Sequence, residues 1–321
     1  PSFLNFFKLR GSYGLSGNDN VSEYQYLSQW GTQLGSSSSS KLYDYNGERP
    51  YAPMHAVNQL FQWETVTKQE LGTELELFNK LMLSVSWYRQ VCDNQLTSQP
   101  VGSYTGFSFV VTNSPAKVEN RGVEIQLGGD IIKRKNFTWR GDFNIAFNRN
   151  RLLAYPNLDK SRHASRYRIG ESLNVNFLYH YMGVDPLTGE YRFEDYNKDG
   201  SLSSGNGRPG GLGNDRYVVF DKTPKFNGGF SSSIAWKKLS FSLGFAFAKM
   251  LMVDPLLSVN PGAFGEVYIP DQLLRNYWKK PGDIAAYGKA STQSIGIISN
   301  SDAGIIDGSS LQLNNISVAW G

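Results

Sequence analysis

The stretch NFTWRGDFNIAFN, from Asn136 to Asn148, decides the fold class of this chain. Apolar side chains occupy alternate positions in it, namely Phe137, Trp139, Phe143, Ile145 and Phe147. The positions between them carry mostly polar side chains, among them Thr138, Arg140, Asp142, Asn144 and Asn148. A period of two predicts a β-strand with two different faces. In a soluble β-sandwich the apolar face would be the core, whereas in a membrane barrel it would face lipid and the polar face would line a wet lumen.

The same alternation recurs along the chain. It is present in ELGTELELF (70–78), KLMLSVSWYRQV (80–91), GVEIQLGGDI (122–131), FNGGFSSSIAW (226–236) and LSFSLGFAFA (239–248). Each of these predicted strands has one apolar face and one face of small or polar side chains. We therefore expect an all-β chain.

The connections between the predicted strands are unequal in length. Tight turns are predicted at 78–80, 133–136 and 236–238, and long polar segments at 14–56, 93–117, 151–224 and 251–308. Short and long connections alternate, as in outer-membrane barrels with short periplasmic turns and long extracellular loops. A sandwich would spread its loop lengths over both ends. The sequence thus favours a transmembrane antiparallel β-barrel, and the alternative is a large soluble β-sheet protein with solvated polar faces.

Composition argues against several other classes. A formal net charge of +4 over 321 residues is too small to indicate nucleic-acid binding. Cys92 is the single cysteine, so no intrachain disulfide is possible, and we interpret it as a small buried or lipid-facing side chain. His55, His163 and His180 are too scattered to predict a metalloenzyme. No apolar run approaches the ~20 residues of a transmembrane helix. No nucleophile motif or phosphate-binding loop stands out either, so we expect a protein that is not an enzyme.

The sharpest local motif is DYNKDGSLS (195–203). Asp195, Asn197, Asp199 and Gly200 match the first half of a calcium loop, in which alternate side-chain oxygens surround a hard cation. The twelfth position is Asn206 rather than Glu, and the flanks are not helical, so the motif is no EF-hand. Two interpretations remain, a turn rich in Asp and Asn side chains, which we favour, and a structural calcium site formed by the three side chains.

The long segments also contain candidate contact residues. Aromatic side chains are frequent in the first one, at Tyr24, Tyr26, Trp30, Tyr43, Tyr45 and Tyr51. They are suited to stacking on sugars or peptide side chains, or on a partner protein; the alternative is that they pack the loop onto itself. In the fourth segment, DQLLRNYWKK (271–280) has the spacing of a short helix that ends before Pro281.

Six sequence blocks carry a resemblance to a known family. They are FFKLRGSYGLSGNDN (6–20), WETVTKQELGTELELFNKLMLSVSWYRQVCDNQL (63–96), NSPAKVENRGVEIQL (113–127), YMGVDPLTGEYRFEDYNKDG (181–200), TPKFNGGFSSSIAWKKLSFSLGFAF (223–247) and SSLQLNNISVAWG (309–321). In this order they resemble the SusC/RagA-type TonB-dependent outer-membrane transporters of Bacteroidetes. The third block departs from the family pattern, because Pro115 and Ala116 stand where the family usually has its first glycine.

The resemblance implies that residues 1–321 are part of a single β-barrel domain of about 22 strands, whose N-terminal plug and terminal strands are absent from this sequence. It implies a location among outer-membrane lipids and active import of glycans or peptides, driven through TonB with a SusD-like surface lipoprotein as partner. An assembly of two transporter–lipoprotein pairs is compatible with it. The alternatives are a TonB-dependent siderophore or cobalamin receptor, and a surface adhesin or glycan-binding protein that transports nothing.

In the barrel interpretation the polar parity of each strand faces the lumen. The residues predicted to line it are Glu70, Glu74, Glu76, Glu124, Asp130, Arg140 and Asp142. The apolar parity of the opening stretch then faces lipid. Gly141 falls on that parity without a side chain, and the pattern alone does not explain it.

Overall fold

The computed structural model describes residues 3–18, 27–32, 44, 46–48, 50–55, 58, 60–102, 107, 109–161, 163–203, 215–255, 270–291 and 296–321. Within these ranges the chain is almost entirely β. No helix in the described ranges is long and apolar enough to cross a membrane.

The strands follow one another along the whole chain. In chain order they are β1 (Leu4–Asn18), β2 (Gln29–Gly31), β3 (Ala52–His55), β4 (Glu64–Leu77), β5 (Leu81–Asp93), β6 (Leu96–Pro100), β7 (Phe109–Asn113), β8 (Lys117–Arg134), β9 (Phe137–Ala154), β10 (Val175–Tyr179), β11 (Tyr181–Val184), β12 (Tyr191–Phe193), β13 (Arg216–Asp221), β14 (Phe226–Trp236), β15 (Leu239–Lys249), β16 (Leu251–Val253), β17 (Ile305–Asp307) and β18 (Ser310–Trp320). One α-helix is described, α1 (Asp271–Asn276), with 3₁₀ turns at Leu158–Lys160, Ile298–Asn300 and Asp302–Gly304.

The eight longest strands form one antiparallel sheet. Its order is β1-β4-β5-β8-β9-β14-β15-β18, so each long strand lies beside the next long strand of the chain. The tight turns at 78–80, 135–136 and 237–238 join the strands at one end of this sheet. The other end carries four long loops, which we call the first (19–63), second (94–116), third (155–225) and fourth (250–309) long loop. The predicted alternation of short and long connections is confirmed.

The register of the sheet keeps its two faces separate. One row of directly opposed residues is wholly apolar: Leu83, Leu127, Phe143, Phe230, Phe245 and Leu313. A neighbouring row on the other face is polar or small: Glu74, Ser84, Gln126, Asn144, Gly229 and Ala246. Because side chains alternate between faces along a strand, a shift of one residue would exchange the two rows.

The apolar face is open rather than buried. Phe143 is 38% exposed and Trp236 is 56% exposed, and many apolar side chains of the sheet are similarly uncovered. The polar atom of Trp139 on this face is satisfied locally, because its Nε1 donates to Ser232 Oγ at 2.9 Å. A continuous apolar surface of this extent is typical of a protein that meets lipid or another protein.

A β-bulge explains the glycine in the middle of the opening stretch. The β8–β9 register shifts between Asp130 and Ile132, which leaves Ile131 as the extra residue. A Cβ atom on Gly141 would come within 3.0 Å of Ile131 Cδ1. The side chain that Gly141 lacks is thus replaced by the side chain of the bulged isoleucine.

The long loops contain more regular structure than the sequence predicts. Short antiparallel pairs form within them: β2 with β3, β6 with β7, β10 with β13, β11 with β12 and β16 with β17. The expected helix in the fourth long loop is α1, which ends at Asn276, four residues earlier than the helical spacing predicts. The interiors of these loops, and not the main sheet, bury most of the enclosed side chains, among them Phe177, Leu178, Phe220, Leu273 and Ile298.

Gly228 is a place where the main sheet has no room for a side chain. A Cβ atom there would lie 2.1 Å from the Asn144 carbonyl oxygen and 2.7 Å from Phe247 Cζ.

We expect Gly228→Ala to destabilise the folded protein by about 1–3 kcal/mol, which is the range for overpacking. Thermal unfolding of the purified protein measures this change. Gly14→Ala in β1 is the control, because a Cβ atom at Gly14 meets nothing within 4 Å. Equal stability of the two variants would contradict this account of the sheet.

Candidate functional site

A polar groove of about 1090 Å³ lies on the polar face of the main sheet, between β1 and β9. It brings together predicted lumen residues from three strands: Glu74 of β4, Glu124 and Asp130 of β8, and Arg140 and Asp142 of β9. Antiparallel register puts these side chains on one face because they share the even positions of their strands. The groove is therefore the candidate functional site of the chain.

Arg10 of β1 crosses one side of the groove. Its guanidinium lies 3.2 Å from Glu74 Oε1 and 3.2 Å from Glu70 Oε1, so the predicted residue Glu70 is joined to the groove through it. It also donates to Ser86 Oγ at 3.0 Å. The side chain passes over Gly72, where a Cβ atom would lie 2.5 Å from Arg10 Nε. Glycine at this position thus lets a long side chain lie flat on the sheet.

Arg10 is not among the residues predicted to line the lumen, although the sequence contains a pattern that indicates its position. Lys8, Arg10 and Ser12 alternate with apolar residues in β1, as the glutamates do in β4. The alternation in β1 therefore assigns Arg10 to the polar face, just as the alternation in β4 assigns the glutamates to it. Glu76, which was predicted, shares the polar parity of β4 and lies opposite Met82 in β5.

A second pair of opposite charges lies across the groove in β9. Arg140 meets Asp142 through two parallel contacts, Nη2 to Oδ1 at 2.9 Å and Nε to Oδ2 at 3.1 Å. Nearby, Lys133 Nζ lies 3.1 Å from Asp130 Oδ2. These side chains are partly exposed, so each pair contributes at most about 1 kcal/mol to folding. The pairing does more to fix the shape and charge pattern of the groove than to stabilise the fold.

The calcium-like motif in the third long loop is a hydrogen-bonded turn. Asp195 accepts from the backbone N–H groups of Asp199, at 3.2 Å, and Gly200, at 2.8 Å. Asn197 Nδ2 donates to Asp199 Oδ2 at 2.9 Å. Hydrogen bonds from Ser201 lower the pKa of the Asp199 carboxyl. These contacts form a turn of the kind that Asp and Asn side chains favour. Among the described residues no group of three or more His, Cys, Asp or Glu is arranged to hold a metal ion, and the calcium site that would include Asn197 stays a prediction.

Asp215 closes that turn from inside the third long loop. Its side chain is fully buried, and its carboxylate accepts hydrogen bonds from the backbone N–H groups of Tyr196 at 2.8 Å and Ser203 at 2.8 Å. A buried carboxylate is tolerated only when its oxygen atoms have such partners. Asp215 therefore positions the motif, although no pattern in the sequence marks this residue.

The third and fourth long loops are joined beside this turn. His180 Nδ1 lies 2.7 Å from Asp302 Oδ2, and the Tyr181 N–H donates to Asp302 Oδ1 at 2.8 Å. The hydrogen bond with Asp302, assisted by the nearby carboxylates, raises the pKa of His180. Tyr217 lies close by, where burial and a hydrogen bond to Glu194 raise its pKa to about 12.

A second set of contacts joins the same two loops. Trp278 Nε1 donates to the Pro186 carbonyl at 2.9 Å, and the Gly282 N–H donates to it at 2.8 Å. Lys289 Nζ lies 3.0 Å from Glu190 Oε1. The DPLTG turn (185–189) of the third long loop is thus held in place by contacts with the fourth long loop. These are contacts between segments about a hundred residues apart.

The predicted aromatic contact residues are only partly described. Trp30 in β2 and Tyr51 beside β3 are exposed, at 62% and 68%. The pairing of β2 with β3 puts Trp30 opposite Pro53, close in the chain to Tyr51. Tyr24, Tyr26, Tyr43 and Tyr45 lie outside the described residues.

The chain matches the family model described as TonB dependent receptor-like, beta-barrel, over residues 2–246. It belongs to this family. The fold agrees, since the main sheet matches the barrel plan of short turns at one end and long loops at the other. The family consists of receptors and transporters, which confirms the prediction that the chain is not an enzyme.

Curated relatives carry the family name. TonB-dependent receptor P39 of Formosa agariphila is 27% identical over 331 residues, covering 89% of this chain and 31% of the relative. TonB-dependent receptor SusC of Bacteroides thetaiotaomicron is 23% identical over 261 residues, covering 74% of this chain and 24% of the relative. The chain therefore spans only about a quarter to a third of the length of these proteins.

A solved structure has the same fold. The structure titled "Structure of the RagAB peptide transporter" matches all of this chain and 35% of its own, with a TM-score of 0.77 and 21% sequence identity. At that identity the match establishes the fold of the chain. Together with the SusC relative, it confirms the resemblance that the sequence blocks carry.

The His180–Asp302 contact makes the junction of the two loops sensitive to pH. Because the folded-state pKa of His180 is raised, the stabilisation is fully present below the ordinary imidazole value of about 6.5 and is lost as the pH rises through the folded-state pKa. We expect amide exchange at Tyr181, corrected for intrinsic rates, to become faster as the pH rises above about 6.5 and through the raised pKa of His180. The contact is half exposed, so the change corresponds to less than about 1 kcal/mol.

Two variants test the assignment of this pH dependence. His180→Gln should remove it, because no group at position 180 then titrates in this range, and His163→Gln in the same loop should leave it intact. Hydrogen exchange followed by mass spectrometry of peptides around 177–184 and 298–305 measures it. A pH dependence that persists in His180→Gln would assign the effect to another group.

Proposed function

We propose that this chain forms part of the barrel wall of an outer-membrane, TonB-dependent active importer. The apolar face of the main sheet lies against lipid, and the polar groove faces a water-filled lumen. The long loops are extracellular and the tight turns periplasmic. The plug and the remaining strands of the barrel belong to the rest of the protein, in keeping with the share of its relatives that this chain spans.

The observation that carries the proposal is the separation of the two faces across all eight long strands. The apolar row that runs from Leu83 to Leu313 continues through Leu75 of β4 to Phe7 of β1. Lipid demands that backbone polar groups be paired and that outward side chains be apolar. The antiparallel ladder meets the first condition inside the sheet, and the row from Leu83 to Leu313 meets the second. The paired charges of the groove suit a wet interior, since Arg10, Glu74 and Arg140 keep contact with water there.

The substrate class that we propose is oligosaccharide or peptide, and the partner is a SusD-like surface lipoprotein. The relative named SusC and the structure titled as a peptide transporter support this choice. The joined third and fourth long loops and the exposed Trp30 and Tyr51 provide the surface on which a substrate or partner would be held. Import through TonB makes the process dependent on cellular energy.

The orientation of the sheet is tested by a pair of adjacent substitutions. Phe143→Arg would put a charge into lipid near the middle of β9 and should cost roughly 2–4 kcal/mol in folding free energy. Asn144→Arg, the next residue, points into the groove and should cost far less. Unfolding of the protein in bilayers by denaturant measures both. If Asn144→Arg were the damaging change, the faces would be reversed.

Uptake assays test the transport function. A strain that lacks the gene should lose uptake of labelled oligosaccharides or peptides from a mixed panel, and the restored gene should recover it. A protonophore should abolish uptake in the restored strain, because TonB-dependent import needs the proton-motive force. An adhesin would bind the label at the surface without energy-dependent import. A siderophore or cobalamin receptor would instead show its defect under iron or cobalamin limitation.

A further inference from the structure

A row of three arginines crosses the apolar face at its loop end. Arg89 of β5 lies directly opposite Arg121 of β8, and Arg121 lies directly opposite Arg149 of β9. Two residues closer to the tight turns, the corresponding row is Trp87, Val123 and Phe147. The arginine row therefore borders the apolar band on the side of the long loops.

Like charges directly opposite each other in a sheet are unfavourable. One buried carboxylate relieves part of this repulsion, because Glu119 Oε1 lies 2.6 Å from Arg89 Nε and Glu119 Oε2 lies 3.8 Å from Arg121 Nε. Arg151, two positions beyond Arg149 on the same face of β9, adds a fourth positive charge. The cluster keeps an excess of positive charge at the edge of an apolar surface.

The arginines are held in place and remain accessible. Arg149 Nη1 donates to the Lys225 carbonyl at 2.9 Å, and Arg151 Nε donates to the Gly170 carbonyl at 2.9 Å. The Arg121 side chain is 54% exposed. A guanidinium has five N–H donors in a fixed fork, so anchoring by one or two contacts leaves it able to meet an anion.

We infer that Arg89, Arg121 and Arg149, with Arg151, bind the phosphate groups of a phosphorylated glycolipid in the outer leaflet of the membrane. Guanidinium groups pair with phosphate oxygens through parallel hydrogen bonds, and such a lipid presents phosphates at the level where its acyl chains meet water. The acyl chains would lie on the band that begins at Trp87 and Phe147. This inference rests on the proposed function, because only an apolar face against lipid and external loops put the row at that level.

The experiment compares lipid retained by the whole protein purified from its native outer membrane. Native mass spectrometry and phosphorus analysis give the moles of phosphorylated glycolipid per protein, and titration of the delipidated protein with the purified glycolipid gives its affinity. The test variant is Arg121→Gln with Arg149→Gln. The control is Arg134→Gln, which removes an exposed charge at the tight-turn end of the same strand β8. Arg121→Lys with Arg149→Lys keeps the charge and removes the guanidinium fork.

Each arginine near an anionic membrane surface is worth roughly a five-fold change in affinity. The double glutamine variant should therefore lose affinity by roughly 25-fold, the double lysine variant by less, and Arg134→Gln should match the wild type. Millimolar inorganic phosphate should not displace the glycolipid, because the acyl chains contribute to its binding.

Three results of the titrations would overturn the inference. They are unchanged affinity in the double glutamine variant, equal loss in Arg134→Gln, and full displacement by inorganic phosphate, which would indicate a site for free anions. Folding of each variant is checked by the shift in gel mobility that β-barrels show on heating. If the wild type is a folded outer-membrane barrel that retains no phosphorylated glycolipid, this inference fails alone. If the wild type is not found in the outer membrane, the proposed function fails with it.

Discussion

The hydrogen-bond ladder of the β8–β9 hairpin sets the register on which the two faces of the sheet depend. Asp130 lies opposite Arg140, and Leu127 opposite Phe143, so charge meets charge on one side and apolar meets apolar on the other. A slip of one residue would carry Phe143 into the groove and Asp142 into the apolar surface. The alternation has period two, and it therefore permits no intermediate arrangement. The neighbouring strands extend the same division to both edges of the sheet.

The polar face is organised by side chains that lie along the sheet rather than away from it. Arg10 passes over Gly72, and a Cβ atom on Gly128 would meet Asp142 Oδ1. Glycines in these strands thus make room for neighbouring charged groups, which pair with one another at the surface of the groove. The charges are spread over β1, β4, β8 and β9, whereas β14 and β15 present mainly Ser, Gly and Ala on this face. The polar face of the sheet therefore has one charged half, which contains the groove, and one uncharged half.

The sequence predicted the main sheet well because its signal is local. Alternation in the opening stretch is enough to assign Phe143 and Asp142 to opposite faces, and turn residues mark the hairpins. Local alternation does not explain Gly141, because the reason for a glycine there is a bulge in the partner strand that places Ile131 over it. Alternation also assigns Arg10 to the polar face, but its contact with a glutamate 64 residues away depends on the pairing of β1 with β4.

The long loops were harder to predict for a different physical reason. Their short strands have few residues and no sustained alternation, as in β6 and β11. What holds them is contact between distant segments, such as the hydrogen bond from Tyr181 to Asp302 across 121 residues. Asp215 illustrates the point, because a buried carboxylate with backbone partners cannot be distinguished from an exposed one by its neighbours in the sequence.

The double junction between the third and fourth long loops has a consequence for how this protein can vary. His180 and Asp302 join them at one place, and Pro186 and Trp278 at another. An insertion that displaced the turn at Pro186 would remove two donors from their acceptor and disturb the register of the opposite loop as well. The two loops therefore behave as one structural unit, and exchanging either alone between homologous proteins should be less well tolerated than exchanging both together.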